Sequence, residues 1–180
     1  MRIGEPPAQP ASEPSEPGAG QPAWLVPEEC HRAERVVWGA HGGAGTTTLA
    51  TWLQPAWDLG AARPAMHPRY PATMAAGRPL ILTCRCTAWS ARAATIAVAA
   101  VTRAGGQLTV LAVVSDGWPE PPAATARFRL LEPQIAAVIR VPFVPGLRLA
   151  DDPATVALPR RALRALDQIR AATGGPRHLR

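Results

Sequence analysis

Lysine is absent from this chain: all 19 basic residues are Arg. No ammonium side chain can therefore grip a phosphate, form a Schiff base or act as a catalytic cation. GC-rich coding, which favours Arg, Ala, Gly and Pro, accounts for part of that bias, but the chemical exclusion stands. Cysteine is scarce too: Cys30, Cys84 and Cys86 are too few for a disulfide framework. Cys84 and Cys86 lie two apart in an apolar run, so on a strand they share a face and read as small buried thiols. Four scattered histidines (His31, His41, His67, His178) offer no metal-ligand spacing. No apolar run approaches the roughly 18 residues needed to cross a bilayer, so no membrane span is expected. The N-terminal "MRIGEPPAQPASEP" lacks the apolar stretch of a secretory signal, and a cytoplasmic location is the expectation.

What is present is a chain of 180 residues, 47% apolar and only 5% aromatic, enough for one domain with a core built on Ala, Val and Leu. The net charge of +6 raises nucleic acid as a partner, although the arginines are scattered. Residues 1–34 are rich in Pro, Glu, Ala and Gly and read as a disordered tail, with "AWLVP" (23–27) as a candidate docking segment. Residues 35–173 read as one α/β domain and 174–180 as a short tail.

Within that domain, apolar runs of strand length alternate with helical segments. "RVVWGA" (35–40), "PLILTCR" (79–85), "QLTVLAVVSD" (107–116) and "AAVIRVPFV" (136–144) read as buried strands. "TTTLATWLQ" (46–54) reads as a helix stopped near Pro55. "SARAATIAVAAVTRA" (90–104) is helical, with Ser90 as N-cap and Gly105 as its stop. "PAATARFRLLE" (122–132) is a third helix. "LPRRALRALDQIRAAT" (158–173) is an amphipathic fourth, with Leu163, Leu166 and Ile169 on one face and most arginines outward. Residues 57–78, broken by Pro and Gly, read as mostly loop. The alternation predicts a parallel sheet of four or five strands with helices on both faces.

Ligands of such sheets gather at the carboxyl ends of the strands. The stretch "GAHGGAGTTTLATWL" (39–53) lies at such a point. Gly42, Gly43 and Gly45, with Ala44 between, let successive N–H groups converge on an anion, and Thr46, Thr47 and Thr48 follow. Thr47 stands where a hydroxyl would meet a magnesium ion. Arg85, at the carboxyl end of a neighbouring strand, is a candidate phosphate ligand through its planar fork. Trp89 and Trp118 follow strand ends and are candidates to stack on a base.

Ala40 and Thr46 break the plain phosphate-loop pattern G-x-x-x-x-G-K-[ST]. The loop resembles instead the deviant Walker A motif, K-G-G-x-G-K-T-T, of the ParA/MinD family of ATPases. Gly42, Gly43, Gly45, Thr47 and Thr48 match it. His41 takes the place of the first lysine, which in the family helps complete a partner subunit's site, and Thr46 that of the second, which binds phosphate. The later segments "LTVLAVVSDG" and "LLEPQIAAVIRVPFVPGLR" are similar to the later part of that fold. The resemblance implies a P-loop NTPase-like fold, Mg-ATP as cofactor and Asp116 and Trp118 near the base. It also implies pairing, as a homodimer or with an active ParA/MinD-like ATPase, and relatives in GC-rich bacteria beside plasmid or conjugative-element functions.

The departures bear on function. Losing the loop lysine removes a charge-assisted bond worth roughly 1.5–3 kcal/mol, about ten- to a hundredfold or more in affinity. The family's strand-end metal aspartate is also missing from "PLILTCRCT"; Asp58, placed in a loop, is the only acid between Glu34 and Asp116. The leading expectation is a pseudo-ATPase: a binding or regulatory module without efficient hydrolysis. A slow nucleotide hydrolase using Arg85 in place of the lysine is an alternative. Another is a DNA-binding accessory protein acting through Arg160, Arg161, Arg164 and Arg170, and a third is a glycine turn that serves packing alone.

Overall fold

The computed structural model describes residues 32–63, 67 and 69–174. Most of the expected tail, the "AWLVP" segment, Cys30, His31, His178 and the C-terminal residues from 175 lie outside them. Five strands alternate with helices: β1 (Arg35–Gly39), α1 (Thr46–Trp52), β2 (Ala56–Ala61), α2 (Tyr70–Ala75), β3 (Leu80–Arg85), α3 (Ala88–Arg103), β4 (Val110–Val114), α4 (Pro122–Leu131), β5 (Ala137–Val141) and α5 (Arg160–Gly174). The sheet order is β2-β1-β3-β4-β5, and every neighbouring pair is parallel. The fold is therefore α/β with helices on both faces, and the strand count is five.

Alternate residues of each central strand feed two cores, as the period of two dictates. On one face Val36, Trp38, Leu82, Cys84, Leu111 and Val113 pack with Ala94, Val98 and Val101 of α3 and Phe128 of α4. On the other, Val37, Ile81, Val110, Ala112 and Ile139 meet Leu49 of α1 and Leu166 and Ile169 of α5. Both faces of β3 are thereby buried, which is why its sequence is a continuous apolar run. Cys84 and Cys86 fall in the same core, as their spacing predicts.

The chain passes from β1 to β2 on one side of β1, then to β3 on the other, so the order reverses at β1. That reversal opens a crevice at the carboxyl ends of β1 and β3. The 2-1-3-4-5 order is shared by flavodoxin-like sheets, so topology selects the crevice and not its occupant.

Several expectations are corrected. The described residues of 57–78 lie mostly in strand and helix rather than loop: β2 pairs along β1 with Val37 opposite Asp58, and α2 follows. An edge strand needs apolar residues only where it meets the core, so "AWDLGA" gives no alternating signal. The cap of α3 is Thr87, whose hydroxyl oxygen accepts the Ser90 N–H at 3.2 Å; Ser90 itself is buried inside the helix. On α5 Leu163 is exposed, and the buried stripe runs through Ala162, Ala165, Leu166, Ile169 and Thr173. β4 stops at Val114, which leaves Asp116 in the loop beyond it.

Candidate functional site

The glycine turn carries β1 into α1 at the sheet's carboxyl edge. Gly43 (φ +76°) and Gly45 (φ +88°) take left-handed backbone that a side chain would strain, so glycine is needed at both. The loop's carbonyls are tied inward. His41 O accepts the Ala44 N–H (3.3 Å), Gly42 O the His41 Nδ1–H (2.8 Å), Gly43 O the Arg85 Nε–H (3.1 Å), and Ala44 O the Thr83 hydroxyl (3.0 Å). By contrast, the backbone N–H groups of Gly42, Gly43, Gly45, Thr46, Thr47 and Thr48 have no acceptor among the described residues. A loop with bound carbonyls and unpartnered N–H groups carries net positive potential toward an anion.

Thr47 is exposed, and its hydroxyl donates to Asp58 Oδ2 at 2.7 Å. The other carboxylate oxygen of Asp58 accepts the Gly60 N–H at 2.8 Å. Asp58 is thus a strand residue held against the loop, a relationship that reading it as loop concealed. Its signal was the register of β2 on β1, which the sequence alone does not display. Thr47 and Asp58 together present two hard oxygen ligands, a set that suits Mg²⁺ when phosphate oxygens complete the shell. Among the described residues no group of three or more His, Cys, Asp or Glu could hold a metal ion.

Thr46 does not face the ligand side. It is buried, and its Oγ1 occupies the space where a Cβ on Gly39 would stand. His41 is buried too, with Nε2 unpartnered and its ring edge-on to Trp89 at 4.6 Å. The side chains at both lysine positions are therefore buried rather than extended toward an anion in the loop. Arg85 supplies charge instead, since its guanidinium both holds the Gly43 carbonyl and reaches the crevice.

That crevice has a volume of about 450 Å³, and its lining includes Gly45, Thr48, Arg85, Asp116, Phe143 and Arg148. Asp116 Oδ1 accepts the Trp118 N–H (3.0 Å) and the Cys86 thiol (3.4 Å). The Trp118 bond holds the Asp116 carboxyl below its usual range, with Cys86 and Arg85 adding to the effect. Trp118 itself lines a smaller pocket over Cys86 and the Glu120–Arg140 pair, outside the crevice. Trp89 is absent from the crevice lining as well. Burial pushes the Cys84 thiol up to about 12, helped by Cys86 and Glu120, and raises Cys86 too. Both thiols are therefore protonated at neutral pH and supply no thiolate nucleophile.

Of the arginines on α5, Arg160, Arg161 and Arg164 are exposed, while Arg170 turns inward to the Trp52 carbonyl at 2.8 Å. No helix among the described residues is long and apolar enough to cross a membrane. No family model, curated protein or solved structure matches the chain.

Proposed function

We propose that this chain is a phosphate-loop-like binding module that holds a nucleotide without hydrolysing it efficiently. One observation carries the reading: the loop ties four carbonyls inward and, among the described residues, leaves six N–H groups without an acceptor beside the Arg85 guanidinium. Such a cradle suits the polyphosphate of a nucleotide, with Arg85 standing in for the missing lysine. Hydrolysis is weak on this reading because neither His41 nor Thr46 delivers a mobile charge to a transferring phosphoryl group. An accessory role in plasmid or conjugative-element partition or transfer, beside a second copy or an active ParA/MinD-like ATPase, rests on the loop resemblance alone.

A thermal-shift titration with Mg-ATP, Mg-GTP and tripolyphosphate tests the reading. A ligand at about a hundred times its Kd adds about 2.7 kcal/mol, several degrees for a domain of this size. The expected result is a shift that Arg85→Ala diminishes. If no phosphate compound shifts the natural protein, the glycines serve the turn and the reading fails.

The Thr47–Asp58 pair favours a second reading, a slow nucleotide hydrolase that uses Arg85 in place of lysine. On this reading the Asp58 carboxylate, bonded to the Thr47 hydroxyl, would organise a magnesium ion or an attacking water. Phosphate release that disappears in Arg85→Ala and in Asp58→Ala supports it; no release above background in the natural protein excludes it.

A further inference from the structure

The edge of the sheet opposite the glycine loop holds a second cavity, of about 680 Å³. It lies where β3, β4 and β5 begin, at Leu80, Thr109 and Ala136, and Thr73 of α2 and Thr173 of α5 close its sides. Eight of its sixteen lining residues are Ala or Gly, so the walls leave room for large side chains. A Cβ on Gly105 would meet nothing within 4 Å, and the space beside it is open. Leu108 is buried at this edge, yet neither its N–H nor that of Gln107 has an acceptor among the described residues. A buried backbone donor calls for a partner. Among the described residues the one charged group in the lining is Arg78, whose guanidinium donates to the Ala75 and Met74 carbonyls.

The chain itself supplies an occupant. Val36 pairs with Leu80 of the lining, and its N–H donates to the Pro79 carbonyl at 2.9 Å. Arg32, the first described residue, lies four residues before Val36, so the preceding chain joins the domain beside the cavity. Val26 is six residues further back, a span of up to about 20 Å. Residues 24–26, Trp-Leu-Val, are the one run of large apolar side chains before Arg32, and Glu28 and Glu29 follow. Residues 175–180, which follow α5, fit less well: Leu179 stands alone there, and Arg177 and Arg180 repeat the charge of Arg78. We propose that residues 24–26 dock in this cavity within the same chain, with Trp24 as the anchor and Glu28 and Glu29 drawn toward Arg78. A Trp brings a large apolar area and an indole N–H that can find a carbonyl. The two carboxylates match the sign of the cavity's charge. The docked segment covers the edge where the strands begin and leaves the glycine loop open.

The test uses the full chain with Ala23→Cys and Cys30→Ser, which leaves one thiol outside the core because Cys84 and Cys86 are buried. A nitroxide on that thiol quenches the NMR signals of nearby amides. The expected result is a loss of intensity at Gln107, Leu108 and Thr173, while Gly43 and Gly117 at the opposite edge keep theirs. Adding Trp24→Ala restores the lost signals, and so does Ala136→Glu, which places a charge at an exposed position of the lining. Mixed with an isotope-labelled copy that carries no nitroxide, the spin-labelled chain quenches nothing. Equal losses at both edges, or a loss that Trp24→Ala leaves unchanged, overturn the proposal. Quenching of the nitroxide-free copy places the segment on a second molecule and overturns docking within one chain.

Discussion

The Thr47 hydroxyl donates to Asp58 Oδ2 at 2.7 Å, joining the first turn of α1 to β2 across the mouth of the glycine loop. Thr47 is exposed and Asp58 half-buried, so the bond adds little to stability, within about 1 kcal/mol. Its consequence lies in binding. Removing the carboxylate by Asp58→Ala should leave the unfolding temperature within a few degrees and abolish the gain in nucleotide affinity that Mg²⁺ confers. Titrations with and without Mg²⁺ measure this; a variant with the natural magnesium dependence would place the metal elsewhere.

Beneath the loop, Thr46 and Gly39 share one space. A Cβ on Gly39 would collide with Thr46 Oγ1 and crowd the His41 carbonyl at 3.2 Å. Overpacking of a buried site costs about 1–3 kcal/mol, so Gly39→Ala should lower the denaturation midpoint accordingly. Thr46→Ala in the same chain removes the nearer obstacle and should recover part of that loss. Additive losses in the double variant would contradict the shared space, since residues in contact do not add.

How far the sequence discloses this site depends on how local each signal is. β3 is legible because burial on both faces demands an uninterrupted apolar run, and Arg85 at its end follows from the run's length. β2 is not, because an edge strand with Gly60 and Asp58 satisfies its backbone by pairing with β1 and carries no pattern of its own. Asp58 therefore carries no local sign of its place on that strand. The bonds that close the loop, Thr83 to Ala44 and Arg85 to Gly43, span 39 and 42 residues, beyond any local pattern. At α3 two hydroxyls three residues apart compete for the cap, and only the backbone of Thr87 is extended enough to take it.

Glu120 and Arg140 tie the loop before α4 to β5 through two bonds, Oε2 to Nε at 2.9 Å and Oε1 to Nη2 at 3.0 Å. Arg140, with help from the Thr125 hydroxyl, holds the Glu120 carboxyl below its ordinary value of 4.5. A depressed folded value stabilises the protein above the unfolded value, and that stability is lost as pH falls through the folded one. Arg140 is half exposed, so the pair contributes about 1 kcal/mol, roughly 2–4 °C. Glu120→Gln should therefore melt lower than the natural protein at pH 7, and the gap should close as pH falls below the ordinary value of 4.5. A gap that stays constant with pH would assign the loss to packing instead.

Arg170 differs from the exposed arginines of α5 in that it serves the fold. Its Nη2 donates to the Trp52 carbonyl at 2.8 Å, at the last turn of α1, where carbonyls lack helical partners. Its Nη1 meets Asp167 at 3.0 Å, an exposed pair of little weight. A cation at a helix C-terminus with a direct bond is worth about 1–2 kcal/mol. Arg170→Ala should lower the unfolding temperature by several degrees, while Arg161→Ala and Arg164→Ala, both exposed, should change it by no more than about 1–2 °C. DNA binding offers the complementary measurement. A surface made by Arg160, Arg161 and Arg164 would lose affinity and salt slope on their replacement, and an equal loss in Arg170→Ala at a temperature where it is fully folded would put that residue at the interface after all.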